Sequence, residues 1–414
     1  MKYEDYINLN YTPKRDDLIC EFFLKTKGFH DLERTAGGVA AESSIGTWLE
    51  TTTIKPYMKK LAGTVFSLER IDKNAANIKI AYPNKLFEPG NLPNVMSSIA
   101  GNVFGMKDIL GLRLNNIIFP KSIVQSFNGP KYGIDRIRKI TKIRDRPLIG
   151  TIVKPKLGLT TKDHARVAYE AWVGGCDIVK DDENLSSQKF NRFETRLKET
   201  LKMKEKSEKE TGERKMYMIN ITAETNEMLR RAELVEKSGN EYAMVDIITV
   251  GWSALQTLRN ENFDLVLHAH RAGHAAFDKN LEHGISMKVI ARLTRMIGLD
   301  QLHIGTAVGK MFETHEEVLE NRKVLVDDFF GLKKVMPVAS GGLHPLMIPE
   351  LYKIFEKDVV LQFGGGIHGH PLGTLSGARA VRQALDAVMQ GKTLKDYSEK
   401  NKELRVAIKY FKNK

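Results

Sequence analysis

The chain has 414 residues, 42% hydrophobic and 28% charged, with a formal net charge of +13 and two cysteines. That balance is that of a globular protein larger than one average domain, and Cys20 and Cys176 make no disulfide framework but read as buried small residues in a reducing cytoplasm. No apolar run is long enough to span a membrane, residues 1–11 are too polar for a signal peptide, and the basic residues are spread out rather than massed, so neither a membrane nor a nucleic acid is expected as a partner.

Residues 1–128 read as an α+β unit, with strands expected at 6–11, 17–24, 64–69 and 75–82 and a helix at 31–43. Two runs stand out there: Glu42-Ser43-Ser44-Ile45-Gly46-Thr47-Trp48, leaving the helix, and the glycine-framed Gly101-Asn102-Val103-Phe104-Gly105. Taken alone, both read as structural.

From about residue 146 the pattern changes to a strand plus a helix roughly every thirty residues. Apolar runs begin at Pro147, Cys176, Met216, Tyr242, Asp264, Leu302, Val335 and Val360, each followed by a helical stretch. Near-continuously apolar strands suit a parallel sheet buried on both faces. The reading is α/β: a (β/α)8 TIM barrel over residues 129–414, preceded by the smaller α+β domain, with a basic amphipathic helical tail from Thr393. The Lys- and Glu-rich stretch 198–215 reads as a solvated helix face.

Reactive residues collect where these strands end, which is the active face of such a barrel. The first strand ends in Lys154-Pro155-Lys156 and the second in Lys180-Asp181-Asp182-Glu183. The fifth ends in His268-Ala269-His270-Arg271, and the sixth carries His303 ahead of Gly305-Thr306-Ala307-Val308-Gly309-Lys310. The seventh ends in Ser340-Gly341-Gly342 and the eighth in Gly364-Gly365-Gly366.

Asp182 and Glu183 supply the oxygen ligands that Mg2+ prefers. Lys180 would join them only as a carbamate, formed when its neutral amine captures CO2; Lys154 and Lys156 supply a positive field that favours the neutral amine. The last two glycine loops suit phosphate, and Arg271 with His303 offers a second anion site, so a short bisphosphate is implied. Metal-dependent amidohydrolases also combine a barrel, a carbamylated lysine and a His-x-His pair. They carry that pair on the first strand, whereas His268 and His270 follow Lys180 here.

These motifs, from about Ala41 to Gly373, closely resemble the large chain of ribulose-1,5-bisphosphate carboxylase/oxygenase (RuBisCO), and the Gly150-Thr151-Ile152-Val153-Lys154 variant resembles the archaeal form III type. The resemblance implies a carbamate on Lys180 that binds Mg2+ with Asp182 and Glu183 and takes the C3 proton of ribulose 1,5-bisphosphate to give an Mg-stabilised enediolate. It implies proton transfer at C2 by Lys154, tuned by Lys156, assistance by His270, and closure of Lys310 over the carboxylate formed from CO2. Arg271 and His303 would hold one phosphate. Thr47, Trp48, Gly342, Gly364 and Gly365 would hold the other, with Gly341 also among the substrate-binding residues and Ser340 on a sugar hydroxyl. Glu42, Thr47, Trp48 and Asn102 would complete the neighbouring subunit's site, which makes the smallest working unit a homodimer, with no small subunit expected. The implied reaction adds CO2, or O2 in the side reaction, and yields two 3-phosphoglycerate. For the archaeal type the substrate would come from AMP salvage. An enolase or isomerase relative is the alternative, but such relatives usually lack several of these residues. Two departures from the plant pattern are expected: Ile152, where a threonine is usual, and no tail to latch the Lys310 loop.

Overall fold

Strand β1 (Asp17–Thr26) buries alternate side chains, Leu18, Cys20, Phe22 and Leu24, as the two-residue repeat of a one-sided sheet requires. It lies at the centre of a five-stranded sheet, between β3 (Ala75–Pro83) and β4 (Ile109–Ile118), both antiparallel to it, with β2 (Thr64–Arg70) on the edge beyond β3. The computed structural model describes residues 1–27, 31–308 and 312–412, which form two units.

In the first unit the helix Leu32–Glu42 starts at Asp31, whose side chain accepts from the Glu33 amide at 2.9 Å. A Cβ at Gly37 would stand 2.1 Å from the Tyr3 carbonyl, so only glycine lets the 3-10 turn Tyr3–Tyr6 pack onto this helix. The strand expected at 6–11 does not form: Tyr6 closes that turn and residues 9–10 make another. The apparent alternation there is broken by Asn8, whose side chain accepts from the Asn10 amide at 3.1 Å, and a single bridge from Ile7 to Val65 remains.

The first unit also contains residues 273–296, a stretch that the sequence reading gave to the barrel domain. Strand β10 (Gly284–Ile285) pairs in parallel with Arg113 and Leu114 of β4 and extends the sheet. Side chains add to this: the Arg113 guanidinium donates to the Asp278 carbonyl at 3.1 Å, and Ser286 Oγ to the Asn115 carbonyl at 2.8 Å.

The second unit is a closed barrel of eight parallel strands: β5 (Leu148–Ile152), β6 (Ile178–Lys180), β7 (Met216–Asn220), β8 (Tyr242–Asp246), β9 (Val266–His270), β11 (Gln301–His303), β12 (Met336–Ser340) and β13 (Val360–Phe363). Pairing of β13 with β5 closes the ring. Leu148, Met216, Tyr242, Val266, Met336 and Val360 are the first residues of their strands, and they cluster with Ile134, Ile137 and Ile140 of the helix Gly133–Thr141. Three isoleucines at helical spacing thus plug the amino end of the barrel, and the carboxyl end is left for chemistry. Strand β8 is shorter than the apolar run 242–250 suggests. The helix Ile247–Asn260 begins directly after Asp246 and kinks at Gly251 (φ 79°). The tail forms two helices, Leu394–Ser398 and Lys402–Phe411, the second burying Leu404 and Ala407.

Candidate active site

The site grows from the end of β6. Asp181 turns outward from the barrel mouth, where it accepts from Arg196 Nε at 3.0 Å, Tyr217 OH at 2.7 Å and the Asn220 amide at 3.1 Å. Burial opposes its charge, but Arg196, His164 and Tyr217 outweigh that and hold the carboxyl well below the usual carboxylate range. This anchor fixes the backbone on which Lys180 and Asp182 point the other way.

Lys180 is fully buried. Its amine donates to the Asp181 carbonyl at 2.7 Å and lies 3.6 Å from Glu183 Oε2. Asp182 Oδ2 accepts from Lys154 Nζ at 2.6 Å, and its Oδ1 accepts from the Asn184 amide at 3.1 Å. Glu183 loses hydration on burial, yet Lys180, His270 and Lys154 hold its pKa down at about 2. Its Oε2 is buried with no hydrogen-bond donor, only the Lys180 amine and the His270 ring nitrogen Nε2 at 3.6 Å each. Two carboxylates, one with an undonated buried oxygen, beside an amine that could carry a carbamate form a donor set suited to a hard cation. Among the described residues no three His, Cys, Asp or Glu side chains gather closely enough to hold a metal on their own.

Strand β9 presents His268 and His270 on one face, where both rings pack edge-on against His303. His270 Nδ1 lies 2.6 Å from Asp246 Oδ1 at the end of the adjacent β8, which orients the ring so that Nε2 faces Glu183. His268 Nδ1 lies 2.8 Å from Gln301 Oε1, His268 Nε2 lies 2.8 Å from His303 Nε2, and His303 Nδ1 lies 2.5 Å from Ser340 Oγ. An amide oxygen only accepts, so the proton of His268 sits on Nδ1. His303 then donates from Nε2 and accepts the Ser340 proton at Nδ1, which leaves Ser340 as an acceptor toward the barrel mouth. Burial, reinforced by nearby cationic groups including Lys180, pushes both imidazoles well below the usual histidine range, so the pair is neutral.

Arg271 is buried and ion-paired with Glu313. Gly341 (φ 125°) and Gly342 (φ 73°) follow β12 in a conformation that side chains disfavour, which explains the Gly-Gly pair. Gly364 abuts Lys154: a Cβ there would lie 3.5 Å from Lys154 Cε. Lys156 is exposed. The structure therefore gathers Lys154, Lys180, Asp182, Glu183 and His270 through direct contacts, and links His303 to Ser340. Lys310 lies outside the described residues.

Glu42, Thr47, Trp48 and Asn102 belong to the first unit. Glu42 Oε1 accepts from Tyr3 OH at 2.9 Å, Trp48 is 74% exposed, and Asn102 is exposed after Gly101, where a Cβ would stand 2.0 Å from the Ser97 carbonyl. At the Ile152 departure, Ile152 stands in register beside Lys180, while the hydroxyl of the adjacent Thr151 bonds the Phe363 carbonyl at 3.2 Å. No hydroxyl from β5 is offered to Lys180. Sequence reading missed Asp246, Gln301 and Glu313, each visible only as the partner of a residue it had named.

The catalytic-domain family of the ribulose bisphosphate carboxylase large chain matches residues 133–411, and the N-terminal-domain family of the same chain matches residues 5–123. The chain belongs to the RuBisCO large-chain family. It is 52% identical to the ribulose bisphosphate carboxylase of Methanosarcina barkeri, covering 98% of each chain. It is 48% identical to that of Methanocaldococcus jannaschii, covering 99% of this chain and 100% of the other. Among solved structures it is similar to the octameric RuBisCO of Pyrococcus horikoshii, with a TM-score of 0.95 at 45% identity over 99% of this chain and 97% of that one. It is also similar to the dimeric archaeal RuBisCO of Hyperthermus butylicus, with a TM-score of 0.92 at 43% identity over 98% of each chain. The barrel and the mixed-sheet unit expected from the sequence are thus the architecture of archaeal RuBisCO.

Proposed function

We propose that this RuBisCO chain is a ribulose-1,5-bisphosphate carboxylase/oxygenase, combining ribulose 1,5-bisphosphate, CO2 and water into two 3-phosphoglycerate. The observation that carries the reading is the convergence of Lys180, Asp182 and Glu183 with Lys154 and His270 at the carboxyl end of the barrel. Close kinship with archaeal carboxylases over the whole chain supports the substrate.

Lys180, as a carbamate, would complete with Asp182 and Glu183 an oxygen set for Mg2+, and the undonated Glu183 Oε2 fits that role. Bound there, Mg2+ would supply Lewis-acid stabilisation of negative charge on substrate oxygens. The carbamate would take the C3 proton, and Lys154, released from Asp182, would move protons at C2. His270, its ring set by Asp246, would assist at the C3 hydroxyl. Ser340 would accept from a sugar hydroxyl, since its own proton is committed to His303.

The glycine loops 341–342 and 364–365, with Thr47 and Trp48, would hold one phosphate. Arg271 would exchange Glu313 for the other beside His303, whose neutral ring makes it a hydrogen-bonding rather than a charged contact. Lys310 would close over the new carboxylate. Glu42, Thr47, Trp48 and Asn102 would serve a neighbouring subunit, a role that the exposed Trp48 suits, in a dimer or an assembly of dimers. We place the enzyme in the cytoplasm, in AMP-derived nucleotide salvage, on its archaeal kinship.

The test is fixation of labelled CO2 into acid-stable product by protein pre-incubated with CO2 and Mg2+, given ribulose 1,5-bisphosphate without oxygen, against Lys180→Ala. Label in 3-phosphoglycerate that disappears in the variant is expected. A folded wild type that fixes none would overturn the carboxylase and leave the enolase-type relative.

A further inference from the structure

One polar group at the barrel mouth has no part in the reaction as described so far. His368 lies two residues beyond Gly366, at the end of the short helix Gly365–His368, and it reaches back toward β5. Its Nε2 is 3.0 Å from Thr151 Oγ1 and its Nδ1 is 3.1 Å from Thr374 Oγ1. Thr151 Oγ1 also donates to the Phe363 carbonyl, at 3.2 Å. The ring also hydrogen-bonds the backbone of Ile152, the residue after Thr151 on β5, and a donating ring nitrogen on that side sets the direction of the other bonds. With its proton spent on Phe363, the Thr151 oxygen accepts from His368 Nε2–H, so Nδ1 is bare and accepts from Thr374. Desolvation of the partly buried ring pushes its pKa down to about 4, so the neutral tautomer is the resident form.

We propose that His368 is a positioning residue that ties the Gly364–Gly366 loop to the strand bearing Lys154. Thr151 and Phe363 are register partners in β5 and β13, and three residues beyond Thr151 the chain reaches Lys154. Gly364, directly after Phe363, abuts the Lys154 side chain. The loop is also held by its backbone: a Cβ at Gly366 would stand 2.0 Å from the Leu343 carbonyl, and one at Gly377 would stand 2.0 Å from the Ile367 carbonyl. The imidazole supplies the remaining link, a donor and an acceptor at opposite ends of a rigid ring, between the proton-transfer lysine and a phosphate-holding loop. Neither the glycines nor Lys154 can supply it, because the glycines lack side chains and Lys154 is engaged with Asp182.

The inference rests on the carboxylase reading, and its test separates the two. His368→Leu keeps bulk but neither hydrogen bond, His368→Gln keeps an amide donor within reach of Thr151, and Thr151→Val removes the shared hydroxyl. Steady-state carboxylation with ribulose 1,5-bisphosphate should show KM raised about tenfold in H368L, with kcat changed less than KM. H368Q should recover much of the loss. The H368L/T151V double variant should be no worse than H368L, since both changes cut one chain of bonds. Thermal melts near the wild-type value would accompany these results. If the wild type fixes CO2 and H368L matches it in KM, or H368Q is as impaired as H368L, this inference falls and the carboxylase stands. If the wild type fixes no CO2, both fall.

Discussion

Lys154 Nζ lies 2.6 Å from Asp182 Oδ2, so the lysine proposed to move protons at C2 rests on a carboxylate proposed to hold the metal. Seating a cation on Asp182 and freeing Lys154 are therefore one event. The Lys154→Met variant should lose roughly 10²–10⁴-fold in kcat, the range for removing a general acid–base group, yet still bind divalent metal. Mn2+ binding followed by electron paramagnetic resonance, beside the labelled-CO2 assay, checks this. Loss of metal binding together with activity would make Lys154 a structural member of the metal site instead.

His270 depends on a residue outside the motifs. Asp246 Oδ1, at 2.6 Å from Nδ1, sets both the tautomer and the direction in which Nε2 faces. Asp246→Asn keeps the shape and removes the charge, and kcat should fall about 10–100-fold, by analogy with the loss of partners that orient metal-ligand histidines. A variant with wild-type kcat would show that His270 needs no such partner.

The buried His268–His303 pair makes stability depend on pH. Both rings have folded pKa values well below the ordinary 6.5, so the folded state binds fewer protons than the unfolded chain. Their stability is therefore fully present above the unfolded value and is lost as pH falls below it. The slope is at most about 1.4 kcal/mol per pH unit for each histidine. Urea unfolding at descending pH should show this decline, and His268→Gln should remove about half of the pair's contribution. An unchanged slope in the variant would place the titrating groups elsewhere.

A shared site between subunits predicts complementation. Lys180→Ala and Glu42→Gln should each be inactive alone. Random reassociation after mixing should restore about a quarter of wild-type activity, because half of the dimers are mixed and each carries one intact site. Mixtures that stay inactive, although mass spectrometry shows exchanged subunits, would confine each site to one chain.

Ile137 is fully buried in the plug at the amino end of the barrel, away from the reactive strand ends. Ile137→Ala should destabilise the fold by about 2–5 kcal/mol through lost burial and a cavity, while KM for ribulose 1,5-bisphosphate holds. Denaturant unfolding and steady-state kinetics measure the two effects separately. A large change in KM would mean that strain at the plug reaches the site.

Much of this molecule is determined locally. Apolar strands recurring with helices specify a parallel barrel, and the alternation along β6 alone separates Lys180 and Asp182 from Asp181. Strand ends in such a barrel converge, so the lysines, carboxylates and histidines could be grouped before any coordinates. What the tertiary structure decided is partnership. Asp246 and Gln301 become the partners of His270 and His268 only because β8 and β11 flank β9 in one register, and Glu313 meets Arg271 only across a long loop. Residues 273–296 read as part of the barrel by position, yet two backbone pairs with β4 carry them to the other sheet. Thr151, one residue from the site in sequence, turns to His368 instead of Lys180. Side-chain periodicity is written along the chain, but hydrogen-bond partners are chosen across strands brought together from tens to hundreds of residues apart, and no local pattern encodes that choice.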